Sequence, residues 1–167
     1  TNNIPGVTSM LRTISHRGPD ESGIYHSRQA TLGNVRLSII DLASGQQPIS
    51  DLSKRFWIVF NGEIFNYKEL RKELEDKGCC FKTSSDTEVL VELYATEGPE
   101  CLNKLNGQYA FAIWNNQKEE LFIARDRAGI RPFFYNITNS ILTFASEIKA
   151  LLKQNYISAE FSPASLS

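Results

Sequence analysis

The chain has 167 residues, of which 41% are hydrophobic, and its charged side chains leave a formal net charge of −1. This length suits one domain with a substantial core. Near neutrality excludes the excess of Lys and Arg that is typical of nucleic-acid-binding proteins. We expect no membrane segment and no signal peptide, because no apolar run is long enough to span a bilayer.

The three cysteines predict neither a disulfide framework nor a zinc site. Cys79, Cys80 and Cys101 are odd in number and lack paired Cys-x-x-Cys spacing. Structural zinc sites and small disulfide-rich domains both need such regular spacing. We therefore expect buried free thiols in a reducing cytoplasm.

The first part of the chain predicts one short helix followed by two strands. Residues 7–15 read as a helix with one apolar face, formed by Met10, Leu11 and Ile14. Gly18 and Pro19 end it, because both residues break helices. Strands are then predicted over residues 23–26 and 30–40.

The stretch Trp57-Ile58-Val59-Phe60-Asn61-Gly62-Glu63 predicts a buried strand that runs into polar residues. Asn66 and Glu69 have the capping-box spacing, so a helix is predicted from Tyr67 to Lys77. We expect Asn61 to Glu63 to form a short connection between this strand and this helix. Asn-Gly between apolar runs is also the strongest short signal for a type I′ hairpin turn, and that alternative stays open.

The second half predicts a helix and then a run of strands. A strand is predicted over residues 80–83, and Ser85 with Glu88 predicts the start of the next helix. The remaining elements are strands at 109–114 and 121–125, a hairpin of 133–135 with 141–145 around Asn139-Ser140, and a helix at 147–153. Two main helices among many strands favour an α+β fold with sheet stacked on sheet, and a doubly wound parallel sheet is the weaker alternative.

Several polar residues lie at the predicted ends of strands or helices. Arg36 is either a surface residue or an anchor for a carboxylate, and Asp86 is either a ligand-binding acid or a partner of the helix dipole. Asn61 and the Gly62 N–H could stabilise an oxyanion. His16 and His26 lack a Cys, Ser or second His at suggestive spacing, so we interpret them as turn or surface residues.

Six ordered motifs carry a resemblance to a known family. They are HRGPD at 16–20, VRLSIIDL at 35–42, FNGEIFNY at 60–67, SSDTE at 84–88, ARDRAGIRPFFY at 124–135 and FASEIKAL at 144–151. Together they resemble the glutaminase domain of class II glutamine amidotransferases, and most closely the type found in glutamine-hydrolysing asparagine synthetases. The resemblance covers nearly the whole chain.

The resemblance implies an N-terminal-nucleophile hydrolase fold, a four-layer α-β-β-α sandwich of two stacked, mainly antiparallel sheets. It implies that Asn61 and the Gly62 N–H form the oxyanion hole. Arg36 would bind the α-carboxylate of L-glutamine, and Glu63 and Asp86 would bind its α-ammonium group. The segment Leu37, Ser38, Ile39 and Ile40 would line the pocket through backbone contacts.

In this family the nucleophile is the thiol of an N-terminal Cys whose own α-amine serves as the base. The sequence begins at Thr1, so we expect a domain over residues 1–167 that lacks its nucleophile strand and is inactive as it stands. None of Cys79, Cys80 and Cys101 can replace that residue, because the chemistry needs the thiol and a free amine together. The synthetase domain that would consume the ammonia is also expected outside this chain.

The expected function is hydrolysis of L-glutamine to glutamate and ammonia for an ATP-dependent asparagine synthetase domain in the same polypeptide. No cofactor is expected here, since ATP and Mg²⁺ would belong to the synthetase domain. A second copy of the chain is a further expected partner, whereas nucleic acid and membrane are not. The alternatives are an amidotransferase serving another acceptor, and a non-catalytic domain that binds glutamine for regulation.

Overall fold

The structure is a computed structural model and describes residues 3–37 and 46–159. Within these residues, helices and strands follow one another without regular β-α-β alternation. The helices are α1 (Ile4–Thr13), α2 (Tyr67–Asp76), α3 (Asp86–Glu97) and α4 (Ile148–Leu151), with 3₁₀ turns at Ser15–Arg17 and Gly98–Asn103. The strands are β1 (Glu21–His26), β2 (Thr31–Arg36), β3 (Ile49–Ser50), β4 (Phe56–Ile64), β5 (Gly107–Asn115), β6 (Glu120–Arg125), β7 (Phe134–Thr138) and β8 (Ile141–Ala145).

The central layer is an antiparallel sheet in the order β3-β4-β5-β6. Strand β4 pairs with β5 along its whole length, and Asn61 lies opposite Ala110 while Gly62 lies opposite Tyr109. Asn61 to Glu63 are therefore strand residues. The predicted connection at this position and the alternative hairpin turn are both wrong, because β5 offers a paired partner as far as Gly107, opposite Ile64.

One face of this sheet is covered by α2 and α3. The side chains that alternate along β4 and β5 on this face pack against buried apolar residues of both helices. Leu70 and Leu74 of α2 are buried, and so are Val89, Leu90 and Leu93 of α3. This is the largest apolar cluster among the described residues, and it anchors both helices to β4.

The opposite face of the sheet packs against two hairpins, β1-β2 and β7-β8. Leu32 of β2 and Phe144 of β8 meet Val59, Ala112 and Trp114 of the central sheet. Behind these hairpins, α1 and α4 bury Met10, Ile14, Ala150 and Leu151. The layers thus follow the order α-β-β-α, which confirms the predicted four-layer α+β sandwich. In the described residues its second β layer consists of these two separate hairpins.

The hairpin at the end of the chain matches its prediction. Asn139 and Ser140 link β7 to β8 with φ angles of 51° and 61°. Two successive residues with positive φ are the signature of a type I′ turn, whose twist suits a two-residue hairpin. The predicted first helix is also confirmed, although it begins three residues earlier than predicted, at Ile4.

Two local predictions are wrong because side chains bond elsewhere. Residues 80–83 form no strand, since the buried carboxylate of Glu88 accepts the Lys82 N–H at 2.8 Å and the Thr83 N–H at 2.7 Å. Asn66 precedes α2 without capping it. Its amide instead donates to the Lys104 carbonyl at 2.9 Å and accepts the Asn106 N–H at 3.0 Å. Ser85 does cap α3, by accepting the Glu88 N–H at 3.2 Å.

We expect Glu88→Gln to destabilise the fold with little change in packing. The amide has the carboxylate's size but replaces one acceptor oxygen by a donor, which leaves one of the two backbone N–H groups without a partner. An unsatisfied buried donor costs roughly 1–3 kcal/mol. Chemical denaturation followed by circular dichroism measures this loss. Glu69→Gln, on the exposed face of α2, is the matched control. Equal unfolding free energies for the two variants would show that the Glu88 contacts are dispensable.

Candidate active site

Asn61 faces the space between the two β layers. Because side chains alternate along a strand, Asn61 shares its face with Trp57 and Val59, and Phe60 points to the helices. On this side a groove of about 870 Å³ runs between β2 and β8 over the central sheet. Its floor is formed by Val59, Asn61, Ala110, Ala112 and Trp114, and α1 contributes Met10 and Leu11.

The side-chain amide nitrogen of Asn61 is buried and has no hydrogen-bond partner in the structure. Buried polar groups are nearly always paired, so such a donor calls for a functional or ligand-based explanation. An amide N–H held on a rigid strand and directed at a groove can donate to an oxygen that enters it. The geometry therefore suits stabilisation of negative charge on a bound ligand.

Gly62 follows at a point where a side chain would not fit. Its φ is 155°, and an added Cβ would lie 2.1 Å from the Gln108 carbonyl oxygen of β5. Only glycine adopts this conformation without strain while keeping the strand pair closed. The glycine therefore allows β4 to stay paired with β5 on both sides of Asn61.

Glu63 and Asp86 form an acidic pair where β4 ends and α3 begins. A carboxylate oxygen of Asp86 accepts the Ile64 N–H at 3.1 Å, so the first residue of α3 is tied to the strand. Burial raises the pKa of Asp86, and the nearby Glu63 charge adds to this, while hydrogen bonds from Ile64 and Thr87 act in the opposite direction. Two neighbouring acids, one of them largely buried, suit a cationic ligand.

Arg36 ends β2, and its side chain is only 17% exposed. One guanidinium nitrogen lies 3.4 Å from a carboxylate oxygen of Glu21 on the neighbouring strand. The backbone of Arg36 is packed against Gly18, where an added Cβ would lie 2.3 Å from the Arg36 backbone nitrogen. Arg36 is thus a positioned, half-buried cation and not the surface residue of the alternative interpretation. Leu37 is exposed, and Ser38, Ile39 and Ile40 lie outside the described residues.

The structure brings the sequence-predicted residues together to different degrees. Asn61, Gly62 and Glu63 share β4, and Asp86 bonds directly to the end of that strand. Arg36 is joined to them indirectly, through Asn34 of β2 and Gln47. Gln47 accepts hydrogen bonds from Asn34 and from the Phe60 N–H, which precedes Asn61. Sequence reasoning missed Gln47, since nothing in a polar loop Gln signals contacts to several elements.

The remaining candidates lie outside this arrangement. His16 is exposed and lies 2.8 Å from Glu147, which confirms a surface residue, whereas His26 is a partly buried residue at the end of β1 and bonds to Thr31. All three cysteines are free, but Cys80 is exposed, which corrects the expectation of three buried thiols. Burial raises the pKa of Cys101 to about 11, which makes this thiol a poor nucleophile.

Comparisons with known proteins assign the family. The model of the family described as "Glutamine amidotransferase domain" matches residues 1–167. The chain belongs to this family. Glutamine-hydrolysing asparagine synthetase 1 of Bacillus subtilis is 44% identical to the amidotransferase domain over 169 residues, which cover 94% of the domain and 27% of the relative. Asparagine synthetase B of Escherichia coli, also named glutamine-hydrolysing, is 43% identical over 144 residues, which cover 86% of the domain and 26% of the relative.

The domain therefore spans about a quarter of the length of these curated relatives. Among solved structures, glutamine phosphoribosylpyrophosphate amidotransferase from B. subtilis superimposes with a TM-score of 0.74 at 24% identity, covering 88% of the domain and 40% of that chain. This likeness shows a shared fold, in agreement with the four-layer sandwich that the resemblance of the motifs implies. No helix among the described residues of the amidotransferase domain is long and apolar enough to cross a membrane.

We expect Asp86→Asn to be more stable than the wild-type domain at neutral pH. Because the pKa of Asp86 is raised in the folded state, folding favours the protonated carboxyl, and ionisation above that pKa reduces stability. As the pH falls through the raised pKa, the wild type should regain the difference. Thermal midpoints measured between about pH 7 and pH 4 test this.

Asp76→Asn, at the exposed end of α2, is the matched control. The difference between its thermal midpoint and that of the wild type should not vary with pH. A wild type that is more stable than Asp86→Asn at neutral pH and loses that advantage on acidification would contradict the account. That result would mean that folding lowers the pKa of Asp86.

Proposed function

We propose that this domain hydrolyses L-glutamine to glutamate and ammonia in the cytoplasm. The observation that carries the proposal is the buried, unpartnered amide nitrogen of Asn61 on the groove face of β4. In amide hydrolysis, negative charge develops on the amide oxygen in the transition state. A donor of this kind stabilises that charge, which is usually the largest single contribution to catalysis. The family match and the names of the glutamine-hydrolysing relatives agree with this chemistry.

The proposed nucleophile is an N-terminal cysteine that would precede Thr1. Its thiolate would add to the carbon of the glutamine side-chain amide, and its α-amine would carry the proton to the leaving nitrogen. The carbon–nitrogen bond then breaks, ammonia leaves, and a thioester remains. Water attacks the thioester to release glutamate and restore the thiol. Asn61 and the Gly62 N–H would hold the oxyanion in both additions.

The groove beside Asn61 supports this placement of the nucleophile. It is bounded by β2 and β8, two strands whose facing edges have no strand partner among the described residues. Its floor is apolar apart from Asn61. An extended segment entering between these edges would bring its first residue over β4. The buried thiol of Cys101 has no such access, because it lies in the cluster on the helix side of the sheet.

Substrate recognition is proposed to rest on charges of both signs. Arg36 would bind the α-carboxylate, because a guanidinium makes charge-assisted hydrogen bonds to carboxylates. Glu63 and Asp86 would bind the α-ammonium group, whose arrival would also relieve the unfavourable proximity of these two acids. Leu37 with Ser38, Ile39 and Ile40 is proposed to line the pocket. These contacts would fix the amino-acid end of glutamine so that its amide reaches Asn61.

The ammonia acceptor is proposed to be an ATP-dependent asparagine synthetase domain in the same polypeptide. The relatives are named glutamine-hydrolysing asparagine synthetases and are about four times as long as the domain. ATP and Mg²⁺ would serve that synthetase domain, and no cofactor is proposed for this one. An amidotransferase with another acceptor is the alternative, and the sequence beyond residue 167 decides between them.

A cluster of exposed apolar side chains supports docking of the following polypeptide. Most of the exposed large apolar residues in the described ranges lie between Ile130 and Leu152. Tyr135 and Ile137 of β7 are 65% and 66% exposed and share one face of the hairpin with Leu142. The chain also passes close to this hairpin before it continues, since the Tyr156 hydroxyl lies 2.9 Å from the hydroxyl of Thr143, on the opposite face of β8. We propose that the synthetase domain covers this face.

We expect Asn61→Ala in the full-length protein to lower kcat and leave the KM for glutamine nearly unchanged. The reason is that the Asn61 donor would meet full charge only in the transition state. Loss of one such donor costs about 2.7–4 kcal/mol, or roughly 10²–10³ in rate. Glutamate release in a coupled assay and the thermal midpoint are measured together. Asn103→Ala, on the surface, is the control. A lowered midpoint with normal kcat would make Asn61 a structural residue and remove the oxyanion assignment.

The docking surface can be tested by thiol labelling of the full-length protein. We expect a Cys introduced by Ile137→Cys to react slowly with a maleimide, and one introduced by Lys118→Cys, in the exposed β5–β6 turn, to react quickly. Peptide mapping separates these sites from Cys80. Equal rates would show that the β7 face stays open. If the protection of this Cys disappears on dilution, a second copy of the chain, and not the synthetase domain, covers the β7 face.

A further inference from the structure

Gln47 is joined to elements that carry each part of the candidate site. Its side-chain oxygen accepts the Phe60 N–H of β4 at 2.7 Å and the Asn34 amide of β2 at 3.2 Å. Its side-chain nitrogen lies 3.4 Å from the Thr87 hydroxyl of α3. One amide thus contacts both β layers and a helix.

The orientation of this amide follows from its partners. A backbone N–H can only donate, so the Gln47 atom facing Phe60 must be the oxygen. The nitrogen then faces Thr87 and donates to its hydroxyl. The Thr87 hydroxyl in turn lies 3.4 Å from a carboxylate oxygen of Asp86, to which it donates. The hydrogen bonds therefore run in one direction, from Gln47 through Thr87 to Asp86.

Each partner of Gln47 is next to, or two positions from, a candidate site residue. Phe60 precedes Asn61, Thr87 follows Asp86, and Asn34 lies two positions before Arg36 on β2. The backbone of Gln47 also packs closely against β1. A Cβ added to Gly23 of β1 would lie only 2.1 Å from the Gln47 carbonyl oxygen. A residue with so many fixed contacts has little freedom to adjust.

From these contacts we infer that Gln47 is a positioning residue, which aligns the oxyanion donor of β4 with the ammonium-binding acid of α3 and the carboxylate-binding arginine of β2. This inference rests on the proposed function. Gln47 itself touches no reacting atom. It acts through Phe60, Thr87 and Asn34, so its loss should alter the geometry of the site before it unfolds the domain.

The test uses the full-length protein and separates the two ends of the Gln47 amide. Gln47→Met removes every hydrogen bond at similar length, and we expect kcat/KM for glutamine to fall roughly 10- to 100-fold, as for a misplaced catalytic group. Thr87→Val keeps the size but breaks only the path to Asp86, so it should raise KM and leave kcat near the wild-type value. Gln117→Met, in the exposed turn after β5, is the matched control.

All kinetics are measured well below each variant's thermal midpoint, so that lost stability alone does not change kcat or KM. Wild-type kcat and KM in Gln47→Met would overturn the inference and leave the proposed function standing. If Gln47→Met does not fold, Thr87→Val decides alone, and an unchanged KM overturns the inference. A wild type that releases no glutamate from glutamine removes both the inference and the proposed function.

Discussion

The pairing of β4 with β5 is the constraint on which the candidate site depends. Nine consecutive pairs run from Phe56 opposite Asn115 to Ile64 opposite Gly107. Because a strand sends alternate side chains to opposite faces, this register places Phe60 in the helix-side core and Asn61 in the groove. A shift of one residue would exchange them, burying an amide among apolar helices. The glycines at 62 and 107 let the two strands approach closely at this end of the pair.

The acidic end of the candidate site brings two carboxylates close together. Asp86 is bound to the Ile64 N–H and stands near Glu63, and burial raises its pKa. A neutral amide at position 86 could still accept the Ile64 N–H and would avoid the repulsion between the two acids. Other acids are paired with cations, as Glu73 is with Lys77 and Lys104. Binding sites often keep such unfavourable charges because a ligand of opposite sign compensates them.

Much of the fold could be predicted from local patterns. The helix predicted from Tyr67, the helix start predicted at Ser85 and the Asn139-Ser140 turn have causes within a few residues, and the structure confirms them. The errors arise where the cause is distant in sequence. Asn66 looks like a helix cap, but its amide bonds to residues near 105, and the strand predicted at 80–83 is prevented by the Glu88 carboxylate. Asn61-Gly62 resembles a turn or a connection in its local sequence. Its place within a strand depends on pairing with β5, which lies more than forty residues later.

The site residues themselves came from the resemblance of ordered motifs to a family, since spacing alone left Arg36 and Asp86 ambiguous. Gln47 could not be found in this way, because its importance lies in which elements it joins. A structure of the full-length protein with bound glutamate would test the account most directly. We expect the α-carboxylate on Arg36, the α-ammonium group between Glu63 and Asp86, and the side-chain carboxylate within hydrogen-bond distance of the Asn61 amide nitrogen. Glutamate bound away from the groove, with the Asn61 nitrogen paired to a protein acceptor, would contradict it.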